Sequence, residues 1–177
     1  ISFAVILGIT AIVGLIMVTP YRLERITGFL NNEADPLGKN YQLQQALIAI
    51  GSGGVTGVGY GQSTTKLKYL PEPIGDSIFA VIGEELGFMG SISLVLIFLL
   101  FIWRVISIAR NCPDLFGRLL AVGFVSVIGL QAFINIGAIS GLIPLTGVPL
   151  PFVSYGGTAL AVFLTMSGII VNISKHR

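Results

Sequence analysis

LGFMGSISLVLIFLLFIW, residues 86–103, is eighteen consecutive positions without a charged side chain. As a helix rising about 1.5 Å per residue it covers roughly 27 Å, close to the hydrocarbon thickness of a bilayer. A second uncharged run, Leu119 to Pro144, is longer still. Around these runs the whole 177-residue chain is 54% apolar and 10% charged, with a mean hydropathy of +0.91. Soluble domains carry about 25% charged residues, so an ordinary soluble globule is excluded, and so is a disordered chain. Ten Lys/Arg against eight Asp/Glu are too balanced for a nucleic-acid surface. One cysteine, Cys112, cannot form an internal disulfide.

Working outward gives an all-α polytopic membrane protein with four transmembrane helices at 1–20, 78–103, 119–143 and 154–173. The apolar run from Ile1 to Thr19 lacks the basic n-region and the small-residue cleavage site of a signal peptide. It reads as a membrane helix whose beginning is missing, in the C-terminal part of a longer protein. The linker 104–118 carries Arg104, Arg110 and Arg118 against Asp114, and the tail 174–177 ends Lys175-His176-Arg177. Short basic loops stay cytoplasmic, so both termini of the chain and this linker are expected inside. The 21–77 segment and the turn 144–153 are then expected outside.

The outer segment is patterned. Tyr21 to Leu30 reads as an amphipathic interfacial helix, broken by turn residues from Asn31 to Gly38. Tyr41 to Ile50 reads as a second short helix. Six glycines follow within the eleven residues 51–61. They match neither a P-loop nor a dinucleotide fingerprint. Close backbone packing in a loop buried in protein is the favoured reading, and backbone contact with a ligand is the alternative.

The candidates for chemistry lie between Lys66 and Glu85. Lys66, Lys68, Glu72 and Asp76 stand just ahead of a membrane helix, among Pro71, Pro73 and Gly75. Asp76 suits an N-cap, a role compatible with a catalytic one. Glu84 and Glu85 are costly beside an apolar span unless paired or functional, and at least one is expected to pair with a nearby cation. The sole histidine and cysteine, His176 and Cys112, fall on the cytoplasmic side, so neither a His/Cys metal site nor a Ser-His-Asp triad forms outside. Outer chemistry must use carboxylates with Lys, Arg or a borrowed divalent cation. Near the end of the chain, Pro144, Pro149 and Pro151 force a non-helical turn before Ser154-Tyr155-Gly156-Gly157, whose small residues allow close helix approach beside a possible ligand groove.

Two separated sets of motifs carry a family resemblance. Asn135, Gly141, Pro144, Gly147 and Ser154-Tyr155-Gly156-Gly157 resemble the C-terminal signature of the FtsW/RodA/SpoVE (SEDS) family. Ala34-Asp35-Pro36, Tyr41-Gln42-Leu43, Gly51-Ser52-Gly53-Gly54, Tyr69-Leu70-Pro71-Glu72 and Ile78 to Gly87 resemble its large extracellular loop and the next helix. The wording from Lys66 to Pro73 is more similar to the FtsW and SpoVE branch than to RodA. The resemblance implies the last four of about ten helices, in the bacterial plasma membrane. It also implies a peptidoglycan glycosyltransferase that polymerises lipid II beside a class B penicillin-binding protein, with membrane lipids around it. The family's essential aspartate falls on Asp76, although Gly75-Asp76-Ser77 stands where the family usually has Thr-Asp-Phe.

The chemistry so implied is attack of a sugar 4-hydroxyl on an anomeric carbon, with inversion and loss of a lipid pyrophosphate. Asp76 would be the general base. Lys66 or Lys68, or a divalent cation such as Mg²⁺, would hold the pyrophosphate; Glu72 would bind metal or orient the loop, and Ser154 and Tyr155 would contact substrate. Lipid II translocation without chemistry, also proposed for this family, and a scaffold role in a division or elongation complex are the alternatives.

Overall fold

In a computed structural model the described residues are 41–68 and 70–175, without the side chains of residues 67 and 68. The chain divides into two units, 1–42 and 43–177. The expected first span, the interfacial helix after it and the Ala34-Asp35-Pro36 motif lie outside the described residues. Among those described the structure is all helix: α1 (Tyr41–Ser52), α2 (Thr65–Lys68), α3 (Ile78–Arg110), α4 (Leu115–Ile139) and α5 (Gly157–Lys175). Three of them, α3, α4 and α5, are long and apolar enough to cross a membrane.

The helix ends differ from the sequence reading in ways the local chemistry explains. Nothing between Arg104 and Arg110 breaks a helix, so α3 runs on to Arg110, a cation in the last turn that complements the dipole. The expected linker 104–118 therefore shrinks to Asn111–Asp114. Asp114 is the N-cap of α4, its side chain accepting from the Gly117 amide at 2.7 Å. At the other end α4 stops at Ile139 rather than near residue 143, because Gly141 turns left-handed (φ 75°). The amides of Gly141 and Leu142 then fold back onto the carbonyls of Ala138 and Gly137. Helix α5 begins at Gly157, since Val153 and Ser154 donate to the Leu150 carbonyl in a turn of their own.

Helices α3 and α4 run antiparallel. The start of α3 (Phe79, Ala80, Val81) packs with Ala46 and Ala49 of α1 and with Ile139 at the end of α4. The far end of α3 (Val105, Ile108, Ala109) packs with Ala121 and Val125 near the start of α4 and with Ile170 of α5. Ala46 and Ala49 are fully buried one turn apart, small enough to bring α1 close to α3. Arg104, Arg110, Arg118 and Lys175 thus collect at one end of the helices, and Glu72 and Asp76 lie at the other. Outward, Leu96, Ile97, Leu99, Leu100 and Trp103 of α3 are each more than half exposed, as lipid-facing or protein-facing membrane helices require.

Helix α3 is broken once, at Gly87 (φ 65°, ψ −162°), a conformation open to glycine almost alone. The break releases the carbonyls of Glu84 and Glu85 from their usual partners, the amides of Phe88 and Met89. The glycine-rich segment supplies replacements. Val58 and Gly59 donate to the carbonyls of Glu84 and Glu85 at 3.0 and 3.1 Å, and Phe88 and Met89 donate to Gly54 and Val55 at 2.9 and 3.2 Å. These four backbone groups are thus satisfied by protein, as a membrane interior demands. Backbone must touch backbone for this. A Cβ on Gly53, Gly57 or Gly87 would overlap main-chain atoms of Gly83, Glu85 or Gly57, so Gly53 and Gly57 of the glycine stretch serve close packing, whereas Gly51, Gly54 and Gly61 have open space around them.

Candidate functional site

Asp76 lies in the short connection from Leu70 to Ser77. Leu70 is buried in the core cluster of α1 and α3, and its amide closes onto the Thr65 carbonyl at 2.9 Å. Glu72 takes a left-handed backbone (φ 49°), which lets its carbonyl receive the amides of Gly75 at 3.0 Å and Ser77 at 3.4 Å. Ser77, fully buried, donates from its hydroxyl to the Pro71 carbonyl at 3.1 Å and lies 3.4 Å from Asp76 Oδ1. It also occupies the N-cap position of α3 without a side-chain cap bond. The helix begins at Ile78, so Asp76 stands one residue ahead of the cap position that the sequence suggested for it.

Three consecutive carbonyls of this connection are held from outside it. The Tyr155 amide donates to Ile74 O at 2.8 Å, Ser154 Oγ donates to Gly75 O at 2.6 Å, and Asn135 Nδ2 donates to Asp76 O at 2.8 Å. The donors are remote in sequence and come from the end of α4 and the proline turn after it. That turn is organised by the same side chains. Asn135 Nδ2 also donates to Val148 O at 2.7 Å, Gln131 Nε2 to Pro149 O at 3.1 Å, and Ser154 Oγ accepts from the Leu150 amide at 2.7 Å. A stretch rich in proline lacks amides for a regular ladder, so side chains on α4 and Ser154 take over its hydrogen bonding. Phe152, also left-handed (φ 63°), is fixed between Phe101 and Phe163, with ring centroids 5.9 and 5.6 Å away.

The remaining predicted residues separate into two groups. Glu72 is exposed, with its carboxyl against Gly75: a Cβ there would come within 3.1 Å of Glu72 Oε2. Tyr155 is 81% exposed, while its main chain is tied to Ile74. Both flank Asp76, which is half-buried. Lys66 is elsewhere, its Nζ 3.3 Å from Glu85 Oε1. Glu85 lies about 10 Å along α3 from Ile78, at the rise of one helical residue per 1.5 Å or so. The expected pairing of one of the two α3 glutamates with a cation is therefore met by Glu85. Lys68 ends α2, and its side chain lies outside the described residues.

Glu84 is held by hydroxyls and amides. It is 2% exposed, and its carboxylate accepts from the hydroxyls of Ser63 (2.5 Å), Thr64 (3.4 Å) and Thr65 (3.1 Å) and from the amides of Thr64 (3.1 Å) and Thr65 (3.4 Å). These groups open α2, so a buried carboxylate takes the place of a cap for that helix. The signal was present in the run Ser63-Thr64-Thr65 before a short helix. The role of Asn135 was less visible, although it is an amide inside a long uncharged run.

Among the described residues no three His, Cys, Asp or Glu side chains gather in a way that could hold a metal ion. A cavity of about 350 Å³ beside the α3 break is lined by Ile50, Phe79, Phe88, Ile92 and neighbouring glycines and serines. It is apolar, and none of the predicted site residues lines it.

Comparison with known proteins places this architecture. A stage V sporulation protein E from Bacillus subtilis is 48% identical over 174 residues, covering 98% of this chain and 48% of that protein. The peptidoglycan glycosyltransferase MrdB of Escherichia coli K12 is 44% identical over 158 residues, covering 89% of this chain and 43% of that protein. Among solved structures, one reported for the structural coordination of polymerization and crosslinking by a peptidoglycan synthase complex superimposes with a TM-score of 0.71 at 31% identity, covering 96% of this chain and 48% of its match. The chain spans about half the length of the curated relatives it matches. The FtsW/RodA/SpoVE family model, described as cell cycle protein, matches residues 1–177, and the chain belongs to that family.

Proposed function

We propose that this chain carries the catalytic aspartate of a peptidoglycan glycosyltransferase that polymerises lipid II at the outer face of the bacterial plasma membrane, beside a class B penicillin-binding protein as transpeptidase. The observation that carries the reading is the way Asp76 is held. Its main chain and the two residues before it are fixed by donors from α4 and the following turn, yet the residue remains partly exposed at the head of an apolar helix. A general base needs that combination of a fixed position and an accessible side chain. The Escherichia coli relative MrdB is named for the same reaction class.

In the step proposed, Asp76 takes the proton of the acceptor 4-hydroxyl as its oxygen bonds to the donor's anomeric carbon. The bond to the lipid pyrophosphate breaks on the opposite face, so configuration inverts. Pyrophosphate leaves readily and needs positive charge rather than a second acid. Lys66, a third of whose side chain is exposed beyond its bond to Glu85, and Lys68 are the candidate cations for it. If Mg²⁺ takes part, substrate phosphate oxygens would supply most of its ligands, with one or two carboxylates such as Glu72 completing them. Tyr155, exposed beside the Asp76 connection, offers an aromatic face to a sugar.

The test is Asp76→Asn in the purified full-length protein with its partner synthase, supplied with lipid II. We expect no glycan strands from protein that still inserts and folds. Normal glycan product would sink the assignment. In proteoliposomes, loss of flipped lipid rather than of strands would instead favour translocation.

A further inference from the structure

Ser154 and Tyr155 were expected at the substrate, but the hydroxyl of Ser154 is already committed. It is 9% exposed, donates its hydrogen to Gly75 O and accepts the Leu150 amide. Asn135 is 2% exposed and spends both hydrogens of its Nδ2, one on Asp76 O and one on Val148 O. Each side chain therefore bridges the Asp76 connection to the proline turn, and the Tyr155 amide adds a third tie one carbonyl further back, at Ile74. The three accepting carbonyls, of residues 74, 75 and 76, are consecutive, and all three donors sit outside the connection.

We infer that Asn135 and Ser154, with the Tyr155 main chain, form a brace that sets the position of the Asp76 carboxylate. They are positioning residues, and this inference rests on the reading of Asp76 as the base. A main chain held at three successive carbonyls has little freedom left in the dihedrals leading to Asp76. The carboxylate is then placed by its side-chain torsions, with the Ser77 hydroxyl 3.4 Å from Oδ1. The brace is anchored on rigid parts: Asn135 projects from a 25-residue helix, and the turn is pinned by Phe152 between Phe101 and Phe163. Catalytic groups held on such elements keep the sub-ångström placement that loops alone do not give.

The experiment measures lipid II polymerisation by the full-length protein with its partner synthase, for Ser154→Ala, Asn135→Ala and the reference Asp76→Asn. Hydrogen exchange of the amides in residues 72–77 is followed in the same samples. Misplacement of a reacting group by about an ångström costs up to roughly 10²-fold in rate, so kcat should fall about 10- to 100-fold in both alanine variants. KM should stay within about twofold, because an interaction felt only in the transition state is what is lost, and exchange in 72–77 should accelerate. Ser154→Ala, which deletes one oxygen, is the variant to rely on if Asn135→Ala does not fold.

A rise in KM at unchanged kcat for Ser154→Ala would make it a substrate contact and overturn the brace. Unchanged kcat and exchange, with Asp76→Asn inactive, would overturn the brace and leave the base in place. Full activity of Asp76→Asn would remove the base reading itself, and the brace with it.

Discussion

Two aspartates precede membrane-spanning helices in this chain, and they are held in opposite ways. Asp114 uses its side chain structurally: Oδ2 accepts the Gly117 amide at 2.7 Å, and its carbonyl receives Arg118 at 3.1 Å as the first turn of α4 begins. Asp76 is gripped by its main chain. Its carbonyl receives Asn135 Nδ2, the cap position of α3 has passed to Ser77, and the carboxylate lies half-buried beside the Ser77 hydroxyl. The same residue type in the same sequence context therefore does different work. A capping aspartate is spent on the helix it starts, whereas Asp76 is placed by bonds to its main chain.

The contrast is most sharply broken or kept at Asp76. Asp76→Asn preserves size and polarity, so the thermal midpoint of the full-length protein should stay unchanged while polymerisation falls by about 10²- to 10⁴-fold, the usual worth of a general base. A fall in thermal midpoint with normal turnover would make Asp76 a second Asp114. Glu84 extends the comparison to a carboxylate with every oxygen engaged. Glu84→Ala strands three hydroxyls and two amides of residues 63–65, a loss on the order of 3 kcal/mol for charge-assisted bonds of this kind. Thermal unfolding should show it, with Glu84→Gln intermediate. Unchanged stability in Glu84→Ala would mean those donors find other acceptors.

How much of this was legible depended on whether the signal was local. Uncharged runs revealed α3 and α4, and Tyr41 to Ile50 revealed α1, since apolar length and periodicity are written along the chain. Close glycine packing could also be read, and Gly53 and Gly57 of the six show it. Hidden from a linear reading was where the packed glycines would land. The break at Gly87 becomes tolerable only when residues 54–59 bring amides and carbonyls to it. The site divides in the same way. Asp76, Glu72 and the cations are conspicuous as rare charges in an apolar chain. The bonds from Asn135 and Ser154 span 59 and 79 residues, and no spacing rule connects them. Ser154 showed as a polar residue near the site, yet the direction of its hydroxyl was set by a fold still to be seen.

Asp114 supplies the smallest effect and the cleanest control. Asp114→Ala removes an N-cap bond, a loss of about 1 kcal/mol, at the helix end that carries Arg104, Arg110 and Arg118. Asp114→Asn should lose less, because an amide oxygen can still accept from Gly117. Neither change reaches the opposite end of α3, where Asp76 sits, so turnover per folded molecule should match the unsubstituted protein. A polymerisation assay normalised to folded protein, run beside thermal unfolding, measures both quantities. If Asp114→Ala slowed turnover as much as it lowered stability, the two ends of α3 would be energetically coupled. The division between a capping aspartate and a catalytic one would then give way to a single cooperative helix on which both depend.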